Sequence, residues 1–141
     1  MFEIFRVNDR LLAVGDATVK GVGLTSARWL VLGAIALSNG PVSVAQIARN
    51  MGLSRQAVQR STNEMANLGL VELLDNPARR GSKVIALTSS GTEAYEAALA
   101  LWRSEWTAAM EEILTEEEIL STMLLLRRLR GLVQSKARSA R

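Results

Sequence analysis

A mainly α fold with one small β-hairpin is what this sequence predicts. Three observations carry that expectation. Apolar residues recur at helical spacing near both ends of the chain, at Ile4, Phe5, Leu11, Leu12 and Val14 and again at Leu120, Met123, Leu124, Leu126 and Leu129. A short helix, a glycine and a second capped helix follow one another between residues 43 and 68. Directly after them, two β-type runs flank a tip that holds Pro77 and Gly81. At 141 residues the whole chain, 1–141, suits a single domain that buries about two-thirds of its unfolded surface.

In chain order, the first helix is expected over Phe2–Val19, and Gly21 with Gly23 breaks it. Thr25 is a suitable N-cap for a second helix running through Trp29 to about Leu37. The apolar run Trp29–Leu37 is nine residues long. A membrane span needs about 20, so this run reads as a core helix buried on all sides. SNGP at 38–41 ends it. Ser43 and Gln46 form a capping box opening a third helix, Val44–Met51, which buries Ile47, Ala48 and Met51. Gly52 makes the turn and Ser54 caps the next helix. Strands are expected over Leu70–Leu74 and Val84–Leu87, as an antiparallel hairpin with a long tip. Thr88 caps a long helix from about Ser89 to Ile113. Thr115 and Glu118 form a second capping box, with successive glutamates complementing the dipole of the last helix. The small, basic tail from Ser135 is expected to fray.

Composition removes several function classes. The chain has no cysteine and no histidine. Disulfides, thiol redox sensing and thiolate or histidine metal sites are therefore excluded, along with the commonest general base. With no nucleotide or nucleophile motif either, an enzyme is not expected, and neither is a cofactor or metal. The glutamates at 111, 112, 116, 117 and 118 read as a helix end and loop, because nothing suggests an apolar setting that raises a carboxyl pKa. Arginine outnumbers lysine 14 to 3 within a net charge of +3, which suits bidentate contacts to phosphate or guanine. The opening MFEIFRVNDR lacks the charged-then-apolar order of a secretion signal, so a cytoplasmic protein with no membrane association is expected.

The helix starting at Arg55 divides by face. At 100° per residue, Ala57, Val58, Ser61, Met65 and Leu68 fall within an arc of about 100°. The opposite half carries Arg55, Gln56, Gln59, Arg60, Asn63, Glu64 and Asn67. A helix packed by the first arc presents arginine for guanine and amides for adenine, as a helix entering the major groove does. The hairpin tip adds Arg79, Arg80 and Lys83. Residues 49–83 hold six cations (Arg49, Arg55, Arg60, Arg79, Arg80, Lys83) against three acids (Glu64, Glu72, Asp75), so the surplus of the whole chain sits here. A short helix, a glycine turn, a capped helix and a hairpin make a winged helix-turn-helix.

From Leu24 to about Gly91 the chain resembles the MarR family of bacterial winged-helix transcription regulators. The residues that carry the resemblance are VSVAQIARNMGLSRQAVQRSTNEMANLGLVELLDNPARRGSKVIALTSSG, above all GLSRQAVQR, LGLVE and LTSSG. The flanking helices follow the family order over nearly the whole chain. The resemblance implies a winged helix-turn-helix part at 24–88 and dimerisation helices at 1–20 and 89–135. It implies an obligate homodimer whose recognition helices, here 55–68, read a pseudo-palindrome in double-stranded DNA, often with a small ligand releasing the DNA. By position, Ser54, Arg55, Gln56, Gln59 and Arg60 match recognition-helix residues that contact bases or phosphates. Arg80 matches the wing arginine that commonly enters the minor groove. The family often places an Asp before that arginine and a second Arg soon after, where this chain has Arg79 and Gly81. Either Arg79 shares the groove contact or the tip is more mobile than usual.

Phe2, Phe5, Leu11, Leu120, Leu124 and Val133 have few intrachain partners in a domain this small, and a two-fold interface accounts for them. Trp29, Tyr95, Trp102 and Trp106 recur at spacings that suit ordinary core. Trp29, Tyr95 and Trp102 are also candidates to line a cavity for a small aromatic or apolar effector. The function expected is a sequence-specific, ligand-responsive dimeric repressor using the recognition helix and a basic wing at 75–83. The alternative is a winged-helix module that binds protein in place of DNA, against which Arg55, Arg60 and the wing cations argue.

Overall fold

The computed structural model describes residues 2–139. Six α-helices and one hairpin follow in order: α1 (Phe2–Val19), a single 3-10 turn (Lys20–Val22), α2 (Ser26–Ala36), α3 (Val44–Met51), α4 (Arg55–Asn67), β1 (Val71–Asp75), β2 (Lys83–Leu87), α5 (Ser89–Ile113) and α6 (Glu116–Ser139). Each cap read from the sequence is in place. Thr25 Oγ1 accepts from Arg28 N–H, and Ser43 and Gln46 close a full capping box. Ser54 Oγ accepts from Ala57 N–H at 3.1 Å, and Thr88 Oγ1 accepts from Gly91 N–H at 3.0 Å. These side chains satisfy backbone donors that the first helical turn leaves without partners.

The chain divides into two compact units, one ending at Trp102 and one beginning at Arg103, so the division falls within α5. In the first unit, α2 packs against α1, α3, α4 and β2. Val31, Leu32 and Ile35 from α2, Ile47 from α3, Val58 and Met65 from α4, and Val71 and Ile85 from the hairpin form one buried cluster. The tight join of α1 to α2 is polar. Ser26 N–H donates to Asp16 Oδ1 at 2.6 Å and Ser26 Oγ–H donates to the Leu12 carbonyl at 2.8 Å. Gly91, one turn into α5, is buried against the wing base, and a Cβ there would overlap the Leu70 carbonyl oxygen. That close approach explains the glycine of LTSSG.

Three expectations are corrected. The second helix is not buried on all sides, since Leu30 and Leu37 are exposed. Leu68 is the C-cap of α4, not part of its inner face, and is 55% exposed. Thr62 takes the buried place instead, with its hydroxyl donating to the Gln59 carbonyl at 3.0 Å. The tail from Ser135 does not fray at once, because α6 continues to Ser139; residues 140 and 141 lie outside the described residues.

The hairpin is antiparallel, pairing Val71 with Leu87 through to Asp75 with Lys83. Val42 adds a one-residue third rung, exchanging two backbone hydrogen bonds of 2.8 and 2.9 Å with Ile85. The tip is closed by its own polar groups. Asn76 N–H donates to the Ser82 carbonyl, Ala78 N–H to Asn76 Oδ1, and both the Ser82 N–H and hydroxyl to the Arg79 carbonyl. Gly81 sits at φ 78°, a left-handed conformation that an arginine there would adopt only with strain.

In the second unit, the end of α5 leads into α6, whose start is fixed by Thr115 and Glu118. The Glu118 carboxylate accepts from Thr115 N–H and Oγ–H at 2.8 Å each, and these bonds hold its pKa below the ordinary value. Among the described side chains of this 24-residue helix, none is buried. No single described helix is long and apolar enough to cross a membrane.

Asp75 and Lys83 close the wing with an ion pair of 2.6 Å. The hydrogen bond from Lys83, then its charge, holds the Asp75 carboxyl below its ordinary value. The pair's contribution is therefore complete above the ordinary Asp range and is lost as pH falls through the lowered value. In a carboxyl NMR titration, Asp75 is expected to titrate below the unperturbed value of about 3.9, and Lys83→Met returns it there. A midpoint unmoved by that substitution rules the pair out as the cause.

Candidate nucleic-acid interface

Val58, Thr62 and Met65 are buried along one side of α4, which turns the other side outward. Arg55, Gln56, Gln59, Arg60 and Asn63 are all exposed. Gln59 Nε2 donates to Asn63 Oδ1 at 2.9 Å, leaving Gln59 one amide hydrogen and a carbonyl oxygen. Those are the donor and acceptor that bidentate pairing with adenine uses. Ser54 spends its oxygen on Ala57 N–H and keeps its hydroxyl hydrogen to donate.

The N-terminal end of α4 and the wing face each other across an open cleft of about 690 Å³. Arg55, Gln56 and Gln59 line one side, and Asn76, Arg79, Ser82 and Lys83 the other, with Gln46 and Arg49 contributed by α3. No carboxylate lines it. The fold thus brings together five of the nine residues expected to meet nucleic acid. Ser54, Arg60, Asn63 and Arg80 do not line this cleft, and all four are exposed.

The charges divide unequally. Lys83 is tied to Asp75, so it is a braced part of the wing and not a free cation. Glu64, the one acid of the outer face of α4, is held by Arg28 from α2 at 3.2 Å. The guanidinium groups of Arg55, Arg60, Arg79 and Arg80 make no hydrogen bond or ion pair with the described residues. Four guanidinium groups thus stand unpaired on the recognition helix and wing, where a polyanion collects them at little desolvation cost. Sequence reasoning counted Arg49 in the local charge but left it, Gln46, Asn76 and Ser82 out of the site. Arg49 lies on a different helix, and only the packing of α3 against α4 shows that it lines the cleft.

The aromatic candidates sit elsewhere in the first unit. Trp29 and Trp102 meet with ring centroids 5.4 Å apart and planes tilted by 42°. Both line a cavity of about 360 Å³ with Asn8, Leu11, Leu12, Gly15, Ser26 and Leu30. Tyr95 does not line it and instead joins Trp29 on a neighbouring groove. The Trp29 indole N–H is buried without a partner.

Residues 22–81 match the profile of the MarR family. An uncharacterised protein of Mycobacterium tuberculosis is 35% identical over 95 residues, which are 67% of this chain and 65% of that protein. The transcriptional activatory protein BadR of Rhodopseudomonas palustris is 31% identical over 98 residues, 67% of this chain and 55% of BadR. The match thus spans only about two-thirds or less of these relatives' length. The solved structure of the M. tuberculosis transcriptional regulator MosR in complex with DNA has the same fold, with a TM-score of 0.77 at 22% identity, covering 95% of each chain. Its match extends the shared fold well beyond the winged part. Residues 22–81 are thus similar to the MarR family, and the fold of the chain is that of solved winged helix-turn-helix proteins.

Proposed function

We propose that this chain is a sequence-specific DNA-binding transcription regulator, not an enzyme, acting in the cytoplasm as a homodimeric repressor. The observation that carries the reading is the acid-free cleft between α4 and the wing, lined by Arg55 and Arg79, with the guanidinium groups of these and of Arg60 and Arg80 unpaired among the described residues. A protein-binding winged helix has no need of that charge. Gln56, Gln59, Asn63 and Arg55 supply base readout, while Ser54, Arg60, Arg79, Arg80 and Lys83 hold backbone and wing. The DNA complex of MosR supports this reading through the shared fold.

Selection from random duplexes is expected to enrich a pseudo-palindrome with half-sites about one helical turn, 10–10.5 bp, apart. Each guanidinium meeting a phosphate adds about −0.9 to the slope of log affinity against log salt. Gln59→Ala is expected to relax base preference, and Arg80→Ala to weaken binding across sequences. No enriched site, or affinity indifferent to salt, overturns the proposal. A reporter behind the selected site gives the sign of regulation, which BadR's description as an activatory protein makes a real alternative.

The dimer rests on exposed apolar surface. Phe2 is 81%, Phe5 62% and Val133 59% exposed, and Leu11, Leu120 and Leu124 are exposed with them. A second copy covering these faces removes from water what an isolated chain leaves wet. Leu124→Arg places a charge within that contact. It is expected to give monomers in sedimentation and to lower duplex affinity at least tenfold; a dimeric, fully binding variant removes Leu124 from the interface.

The cavity of Trp29 and Trp102 suits a small aromatic or apolar effector carrying an acceptor for the Trp29 indole N–H. Such a compound is expected to quench tryptophan fluorescence and release the selected duplex together. Quenching that survives Trp29→Phe with Trp102→Phe, or that leaves the duplex bound, argues against this site.

A further inference from the structure

Glu64 stands four residues after Arg60 on α4, the spacing at which a carboxylate and a guanidinium become neighbours on a helix surface. Left alone, that pair can close, weakly in this order of residues, and partly neutralise a cation on the outer face. In the structure it does not close. Arg28, the third residue of α2, places Nη2 3.2 Å from Glu64 Oε2, and Arg60 makes no ion pair with the described residues. Arg28 is the less exposed partner, its side chain 30% accessible against 48% for Glu64. Its backbone N–H is anchored by the Thr25 cap, so the guanidinium reaches α4 from a fixed helix start.

We infer that Arg28 is a positioning residue for DNA binding: by holding Glu64 it keeps the Arg60 guanidinium free for a phosphate. The inference rests on the DNA-binding reading above and adds a residue outside both the recognition helix and the wing. Arg28 need not touch DNA. It sets the effective charge of the face that does, because a released Glu64 both captures Arg60 and presents a carboxylate to a polyanion.

The test is duplex binding by the full-length protein across a salt series, on the site selected for the unaltered chain. Arg28→Ala is expected to weaken binding about three- to fivefold at low salt, through partial capture of Arg60 and the exposed Glu64 charge together, and to flatten the salt slope measurably. Glu64→Gln is expected to bind within about twofold of the unaltered protein, with the slope retained. The double variant, Arg28→Ala with Glu64→Gln, is expected to recover both affinity and slope, since no carboxylate remains to capture Arg60. Glu64 is exposed and Arg28 half-buried, and unchanged thermal melts confirm that the variants fold. A double variant as weak as Arg28→Ala shows Arg28 contacting DNA itself and overturns the inference. Glu64→Gln as damaging as Arg28→Ala shows a role for the pair in packing α2 on α4, and overturns it too. Arg28→Ala binding like the unaltered protein also overturns it, whereas an unaltered protein that binds no duplex defeats the DNA-binding reading instead.

Discussion

The outer face of α4 depends on three side chains that it hides. Val58, Thr62 and Met65 are fully buried, and their seating fixes the rotation of the helix about its own axis. A turn of one residue, about 100°, would carry Gln59 and Arg55 out of line with the wing. Burial of Val58 and Met65 is worth a few kcal/mol in all, against at most about 1 kcal/mol for a surface ion pair. The apolar seat therefore sets the helix, and the polar contacts trim it. Thr62 fits this scheme because its hydroxyl bonds back to the Gln59 carbonyl, which lets a polar side chain enter a dry stripe without an unpaired donor.

The wing depends on the same seat at one remove. Gly91 lets α5 start directly against the Leu70 backbone, and the Val42–Ile85 rung fastens the hairpin to the loop after α2. Both contacts leave β1 and β2 little freedom at their base. At the far end, Asp75 pairs with Lys83, and Asn76 and Ser82 fold the tip onto itself. The departure from the family pattern at Arg79 and Gly81 is then intelligible. The bracing acid serves Lys83 across the strands, and a glycine occupies the one tip position whose backbone is left-handed.

Helix positions and caps were legible because they are local. Ser43 with Gln46, and Thr115 with Glu118, announce helix starts within four residues, and the structure forms both boxes. The first strand was displaced by a residue because alternation is weak in VELLD, where only Val71 is buried, and the second starts one residue earlier than expected, at Lys83. Leu68 misled because a wheel extends a helix past its cap, and Thr62 was missed because its hydroxyl reads as surface until its backbone partner is known. The site was half legible. Face and charge follow from spacing, but pairing across elements does not: Arg28 and Glu64 are 36 residues apart, and Arg49 reaches the cleft only through helix packing.

On the proposed reading, one α4 helix and wing read a half-site, and four arginines offer few phosphate contacts by themselves. Joining two such units converts the second engagement into an intramolecular event, which raises avidity by factors of about 10² to 10⁴ without new contacts. On the proposed dimer, the exposed apolar faces of α1 and α6 would make that joining. Among its described residues α6 fully buries no side chain, and Leu120, Leu124, Leu125, Leu126 and Leu132 leave an exposed apolar face of the kind that promotes association. In the proposed dimer, a second copy would cover them, and the spacing of the two α4 helices would match that of the half-sites. Specificity on this reading has two separate sources. The α4 side chains choose the bases, while residues that never approach the DNA choose how far apart those bases must lie.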